Sequence, residues 1–266
     1  MSLKELYHPE TGRMRVAGLM SGNGTNLVKI IEHEKDLEEK RGGYSPYKVE
    51  VIFTENPNSN AECIGGEYDI PVIERDIAEF YREKGKPRKD LDVKREFDKQ
   101  TVRLLRPRKI DVIAYAGYDG IATPVLVDAF LGVNVHPADL SIMNGKERKY
   151  TGNHGVRDAI LAGDRKLRST THIVRGEVDS GEILMISPPL VLDIPNKLDL
   201  SGRTERSRNK IRNLTDFWQN KLKKVGDHRI LPETLQHIAD GRYSQDEGGR
   251  LHFDNEPIPF GVMLSG

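Results

Sequence analysis

Asn134 and His136 stand two residues apart at the end of an apolar run, GVNVHP. That spacing on a strand sends both side chains to one face. At the carboxyl end of the strand, this face opens on the edge where open α/β sheets bind ligands, so an amide and an imidazole would meet a ligand together. A second candidate lies far upstream. The segment SGNGTN, residues 21–26, follows the run MRVAGLM and precedes LVKIIEHEKDLEEK, whose apolar residues fall at helical intervals. Gly22 and Gly24 let a strand turn sharply into a helix, and the unpaired amides and positive dipole end of that helix suit an anion. Asn23 lies between them, and Thr25 and Asn26 add side-chain donors. The spacing lacks the third glycine of the dinucleotide fingerprint and the Gly-Lys-Ser/Thr ending of a nucleotide P-loop, which disfavours a nicotinamide or ATP site. Taken singly, each feature has a plainer reading: an N-x-H is often a hydrogen-bonded strand-end histidine, and a glycine turn can be only a turn.

The elements around these residues alternate. MRVAGLM, VEVIFTENPNSN, IPVIERD, IDVIAYAGY and GVNVHP read as strands, the last two as buried parallel ones. Helices are expected at LVKIIEHEKDLEEK, AECIGGEY, about Asp92 to Leu105, PVLVDAFL and HGVRDAILAG. This order implies a right-handed, doubly wound, mostly parallel sheet of the α/β class. After Pro137 comes a long polar loop, ADLSIMNGKERKYTGN. RSTTHIVRG and GEILMISPPLVLDI follow as strands, the second continuing past its two prolines as an edge. Residues 195–229 should form a long charged helix ending near His228, and LPETLQHIADG a final helix with Pro232 early and Gly241 as its stop. RLHFDNEPIPFGVML reads as a weak strand or tail, and the basic stretch 85–109 as a solvated helix face.

Lys+Arg and Asp+Glu number 41 each, so the net charge is zero and a nucleic acid finds no global attraction. No apolar run is long enough for a membrane span, and the N-terminus has no signal-peptide core. A cytoplasmic location is therefore expected. The single cysteine, Cys63, excludes an internal disulfide and a cysteine-based zinc cluster; it reads as structural filler.

From His136 the chain runs NVHPADL, then KYTGNHGVRDAILAGD, then STTHIVRGEVDSGEIL. Together with SGNGTN, AYAGY and LPETLQHIADGR, this order resembles the folate-dependent formyltransferases, and within them the glycinamide ribonucleotide formyltransferase type, over roughly residues 14–242. The resemblance implies a Rossmann-like formyltransferase fold with an antiparallel edge strand and C-terminal helices. It also implies a single domain over 1–266, with about 1–13 as an extension, about 195–229 as a charged helical insert and about 242–266 as a tail. It implies formyl transfer from 10-formyltetrahydrofolate, a co-substrate, to the amine of glycinamide ribonucleotide in purine synthesis. The partners would be small molecules, with no metal, nucleic acid or membrane and with a homo-oligomer open.

Site residues carry over by position. Asn134, His136 and Asp179 fall on the family's catalytic asparagine, histidine and aspartate. Gly22, Asn23, Gly24, Thr25 and Asn26 fall on its substrate-phosphate loop, with Lys94 near a basic residue that assists it. Ala116, Gly117, Tyr118 and Val178 would line the folate site, Asp227 would meet the amine, and His154 and His172 would support. For such a reaction Asn134 and His136 would donate to the oxyanion formed on the formyl carbon. His136, oriented by Asp179, would also move protons, and Gly181 would let the Asp179 loop bend tightly.

The sequence departs from the family in three places: extra residues between Pro137 and KYTG, Asp119 and Gly120 in AGYDG, and the shorter carboxylate Asp227. These leave open another amine acceptor, a formyltetrahydrofolate hydrolase or a non-catalytic folate or nucleotide binding module. Hydrolases of this kind carry an extra N-terminal domain, whereas about a dozen residues precede the first strand here. A methionyl-tRNA formyltransferase would need a second C-terminal domain and a basic surface.

Overall fold

The computed structural model describes residues 3–194, 200 and 202–265. Eight strands form the main sheet: β1 (Met14–Met20), β2 (Tyr47–Thr54), β3 (Val72–Glu74), β4 (Val112–Tyr115), β5 (Leu131–His136), β6 (Thr170–Ile173), β7 (Ile183–Ile186) and β8 (Val262–Met263). Their spatial order is β8-β7-β6-β5-β4-β1-β2-β3. Pairing is parallel from β3 through β2, β1 and β4 to β5, and the antiparallel part enters at β6.

The chain leaves β1 toward β2 and β3, then returns to lay β4 on the other side of β1, so the order reverses between β1 and β4. Diverging connections open a crevice at such a point.

Both faces of the sheet are covered, as the near-continuous apolar strands require. Val16 and Met20 of β1 join one core with Leu27, Ile30 and Ile31 of α1 (Thr25–Lys40), Ile64 of α2 (Ala61–Tyr68) and Leu235 of α8 (His228–Ala239). Ala17 and Leu19 point the other way. They meet Ile77 of α3 (Ile77–Glu83), Phe97 and Leu105 of α4 (Leu91–Leu105) and Leu126 of α5 (Pro124–Val127). Gly18 lets α1 lie close, since a Cβ there would stand 2.3 Å from Leu27 Cδ1.

Several elements differ from expectation. PVLVDAFL forms only the single turn α5. The strand at GEILMISPPLVLDI does not pass its prolines, which lack the amide a ladder needs; Leu190–Val191 pairs instead with Lys166–Leu167 as a separate ribbon. The presumed tail is built into structure, with Tyr243–Gln245, Leu251–Phe253 and Glu256–Pro257 forming an antiparallel sheet with Lys4–Glu5. Of the expected charged insert, residues 195–199 and 201 lie outside the described residues. The rest contains α7 (Glu205–Leu222), whose Trp218 and Leu222 pack on Val156 and Ile160 of α6 (Gly155–Leu161).

A π-helical turn, Lys223–Asp227, joins α7 to α8 and places Pro232 inside the helix rather than at its start. Proline has no amide for the i−4 bond and its ring crowds the carbonyl four residues back, so the helix runs through residue 232 without that bond.

Glu34 of α1 is buried, and its carboxylate accepts the Val49 amide at 2.8 Å. Burial raises its pKa from 4.5 to about 7 against the opposing effect of that hydrogen bond. A carboxyl whose folded pKa is raised contributes stability below its unfolded pKa and loses it as pH climbs through the folded value. Glu34→Gln is therefore expected to raise stability on the order of 2 kcal/mol at about pH 8 and to change it little at about pH 4.5. Urea unfolding at the two pH values checks this, and equal effects at both would contradict it.

Candidate active site

The register of β5 against β6 builds the first half of the site. Asn134 pairs with His172 and His136 with Thr170. Two donors on β5 thus gain a histidine from the neighbouring strand, and Asn134 Nδ2 lies 3.3 Å from His172 Nε2. The His172 Nδ1–H donates to the Ile173 carbonyl at 2.9 Å, which leaves Nε2 as the nitrogen facing Asn134.

Asp179 arrives from the turn between β6 and β7. Its backbone is left-handed, φ 52°, which directs the carboxylate back toward β5. Oδ2 lies 3.4 Å from His136 Nδ1, and Oδ1 lies 3.4 Å from His172 Nε2. The Gly152 amide donates to Oδ2 at 2.7 Å. Gly181 permits the tight approach of this turn, since a Cβ there would stand 1.7 Å from the Ile173 carbonyl oxygen.

The long segment after Pro137 closes over these groups. His136 Nε2 donates to the Tyr150 carbonyl at 2.7 Å. Arg148 donates to the carbonyls of Asp179 and Gly181, the latter at 2.8 Å. His136 is 5% exposed and Asp179 7%.

Burial opposes charge on Asp179, yet the neighbouring edges of His172 and His136 and the bond from the Gly152 amide together hold its carboxyl at about 2. Burial lowers the His136 pKa, and this outweighs the attraction of Asp179 and the bond to Tyr150. The resting pair is thus an ionised carboxylate beside a neutral imidazole. The Nε2–H is fixed by a carbonyl, so Nδ1 next to Asp179 is the nitrogen free to take a proton. Such an arrangement can donate to a developing oxyanion and hold a proton in transit.

At the end of β1 the glycine loop carries no side-chain cap. Gly24 is the N-cap of α1 with φ 67°, and Thr25 and the neighbouring Gly22 and Asn23 are exposed. The loop is braced from below, with Asn56 Nδ2 donating to the Ser21 carbonyl at 2.8 Å and the Asn60 amide to Gly22 at 3.1 Å. In the sheet, β4 alone separates β1 from β5, so their carboxyl ends, and with them this helix start and Asn134–His136, border the same crevice about 10 Å apart at the strand level.

A formyl transferase family model matches residues 14–212. The chain belongs to the formyl transferase family. It is 28% identical over 208 residues to the phosphoribosylglycinamide formyltransferase of Haemophilus influenzae, covering 77% of this chain and 86% of that protein. The Escherichia coli enzyme of that name is 25% identical over 248 residues, covering 92% of this chain and 96% of its own. The fold is also that of the phosphoribosylglycinamide formyltransferase from Coxiella burnetii, with TM-score 0.67 at 19% identity over 96% of this chain and all of that one.

Within this formyl transferase, Ala116, Gly117 and Tyr118 follow the carboxyl end of β4; the Gly117 carbonyl holds the Ser21 amide at 2.9 Å, whereas the Tyr118 ring turns into the core against Phe53 and Tyr115 and offers the crevice only its backbone. Val178 is exposed beside Asp179. His154 is exposed at the start of α6, where its carbonyl takes the Asp158 amide, and it stands outside the Asn134–His136–His172–Asp179 group. Lys94 is not offered to the glycine loop. It is 4% exposed and 2.6 Å from Asp98, on a buried stripe of α4 and not on the solvated face that the basic stretch suggests. Asp227 is 3% exposed, accepts from Ser169 Oγ at 2.5 Å and is bonded to Asn26. The carboxylate therefore sits behind the glycine loop, tied to its last residue.

The departures have local reasons. Gly120 lies against Glu55, and a Cβ there would stand 2.5 Å from its carboxylate, so a bulkier residue would push that side chain aside. The extra residues after Pro137 form the ribbon Met143–Asn144 with Glu147–Arg148. Arg148, Tyr150 and Gly152 enclose the site; the KYTG segment marks Tyr150 and Gly152 as part of the resemblance but not their contacts, which run through a backbone carbonyl and a backbone amide, and Arg148 acts through a guanidinium on backbone carbonyls.

Proposed function

We propose that this chain transfers the formyl group of 10-formyltetrahydrofolate to the amine of glycinamide ribonucleotide. The observation that carries the reading is a carboxylate held between two histidines beside Asn134, across a crevice from an uncapped helix start.

In this reading the acceptor's phosphate takes the amides and side chains of Gly22 to Asn26, and its amine reaches the end of β5. The folate lies along Ala116–Tyr118 and Val178. His136 Nε2–H, now given to the Tyr150 carbonyl, is given instead to the formyl oxygen, with the Asn134 amide as second donor. The Tyr150 carbonyl thus marks the place of the reacting carbonyl and gives up this one contact as substrates enter, while Arg148 and Gly152 stay on the Asp179 turn. The proton released by the attacking amine, relayed through water, is held at His136 Nδ1 as an ion pair with Asp179 until the departing folate nitrogen takes it. Asp227 acts through Asn26, aligning the end of the glycine loop toward the acceptor.

Purified protein should convert formyltetrahydrofolate to tetrahydrofolate only when glycinamide ribonucleotide is present, with formyl appearing on the amine. Formate release at the same rate without the acceptor would replace this reading with hydrolysis.

A further inference from the structure

Arg148 lies on the short ribbon formed by the extra residues after Pro137, at a half-buried position beside the Asp179 turn. One arm of its guanidinium donates to the Asp179 carbonyl and the other to the Gly181 carbonyl, the second at 2.8 Å. The first carbonyl belongs to the left-handed residue that aims its carboxylate at His136 and His172, and the second lies two residues on in the same turn. A non-glycine residue in that conformation persists only where surrounding contacts over-determine it. A planar fork satisfies two carbonyls at once, which an ammonium on a flexible stem does not.

We infer that Arg148 is a positioning residue for the reaction: its fork clamps the Asp179 turn from the backbone side and so fixes the carboxylate between the two histidines. This inference rests on the formyl-transfer reading. It assigns a use to the ribbon, which supplies the arginine to a turn some thirty residues on in the same chain. Further support comes from the same segment, where the Gly152 amide binds Asp179 Oδ2 and the Tyr150 carbonyl binds His136. The segment therefore touches the carboxylate, the histidine and the turn at three separate points.

The test uses the full chain with Arg148→Lys, which keeps the charge and loses the fork, and Arg148→Met, which loses both. Arg148→Lys is expected to lower kcat about ten- to a hundredfold with both KM values within about twofold, since a misplacement near 1 Å costs that much. Because Arg148 acts through Asp179, the same change on an Asp179→Asn background should cost less than about threefold. Arg148→Met should lose at least as much kcat as Arg148→Lys while melting close to wild type. Equal losses on both backgrounds, a loss confined to KM or no loss would each overturn the inference. Imidazole nitrogen spectra of the histidines give a readout independent of turnover: the His136 and His172 signals should both move in Arg148→Lys, and unmoved signals would contradict the clamp. If wild-type protein transfers no formyl to glycinamide ribonucleotide, the reaction reading fails by itself and these spectra still decide the role of Arg148.

Discussion

His136→Gln is expected to lower kcat about a thousandfold, with the melting temperature close to that of wild type. Glutamine can keep a donor near the Tyr150 carbonyl, so packing around this buried position changes little. It cannot take up and release a proton near neutral pH. The loss thus separates proton transfer from simple hydrogen bonding, and steady-state kinetics with both substrates measures it. A fall of less than tenfold would remove His136 from the reacting group. In the wild type, the imidazole pKa lies below its ordinary 6.5 because of burial, so activity should fall only as pH drops through that depressed value. The Asp179 carboxyl, held at about 2, stays ionised throughout and adds no limb of its own. An acid limb above 6.5 would contradict the resting pair of neutral ring and carboxylate.

Gly181→Ala should destabilise the fold by about 3 kcal/mol or more and abolish activity in whatever protein remains folded. The added Cβ would stand 1.7 Å from the Ile173 carbonyl oxygen and 2.8 Å from its carbon, both backbone atoms of the last residue of β6, which is paired with Val133 of β5. No rotamer relieves such a clash, so the turn must move. That turn carries Asp179, and its Gly181 carbonyl is one of the two that Arg148 holds. Thermal melting and activity should therefore fail together. Retention of wild-type melting and kcat would show that the turn relaxes without moving Asp179. Glycine was expected at this point as a bend; the structure shows the requirement to be space beside a neighbouring strand.

Much of the site could be read from the sequence because its determinants are local. A spacing of two on a strand fixes that Asn134 and His136 share a face, whatever the rest of the chain does. A strand ending in glycines before a helical pattern fixes an uncapped helix start at Gly24. The alternation of strands and helices fixed the doubly wound sheet, whose order then brings the ends of β1, β4 and β5 side by side.

Lys94 shows where local reading failed. A lysine four residues before an aspartate on a charged helix looks like a solvated pair, yet Lys94 and Asp98 lie on the stripe that also holds Thr101 and Leu105, turned toward the core. Burial decides the meaning of that pair, and burial is a property of the helix's neighbours.

The sequence by itself determined the chemistry present: an amide and an imidazole at one strand end, a carboxylate on a glycine-bent turn and a glycine loop before a helix. Only the tertiary structure decided how they meet. The pairing of Asn134 with His172 depends on the register of β6 against β5, which runs without a shift although β6 is irregular against β7. The closure of Tyr150, Gly152 and Arg148 over His136 and Asp179 runs through main-chain atoms. Every residue carries those atoms, so residue type does not reveal which of them will be used; only the path of the folded chain does.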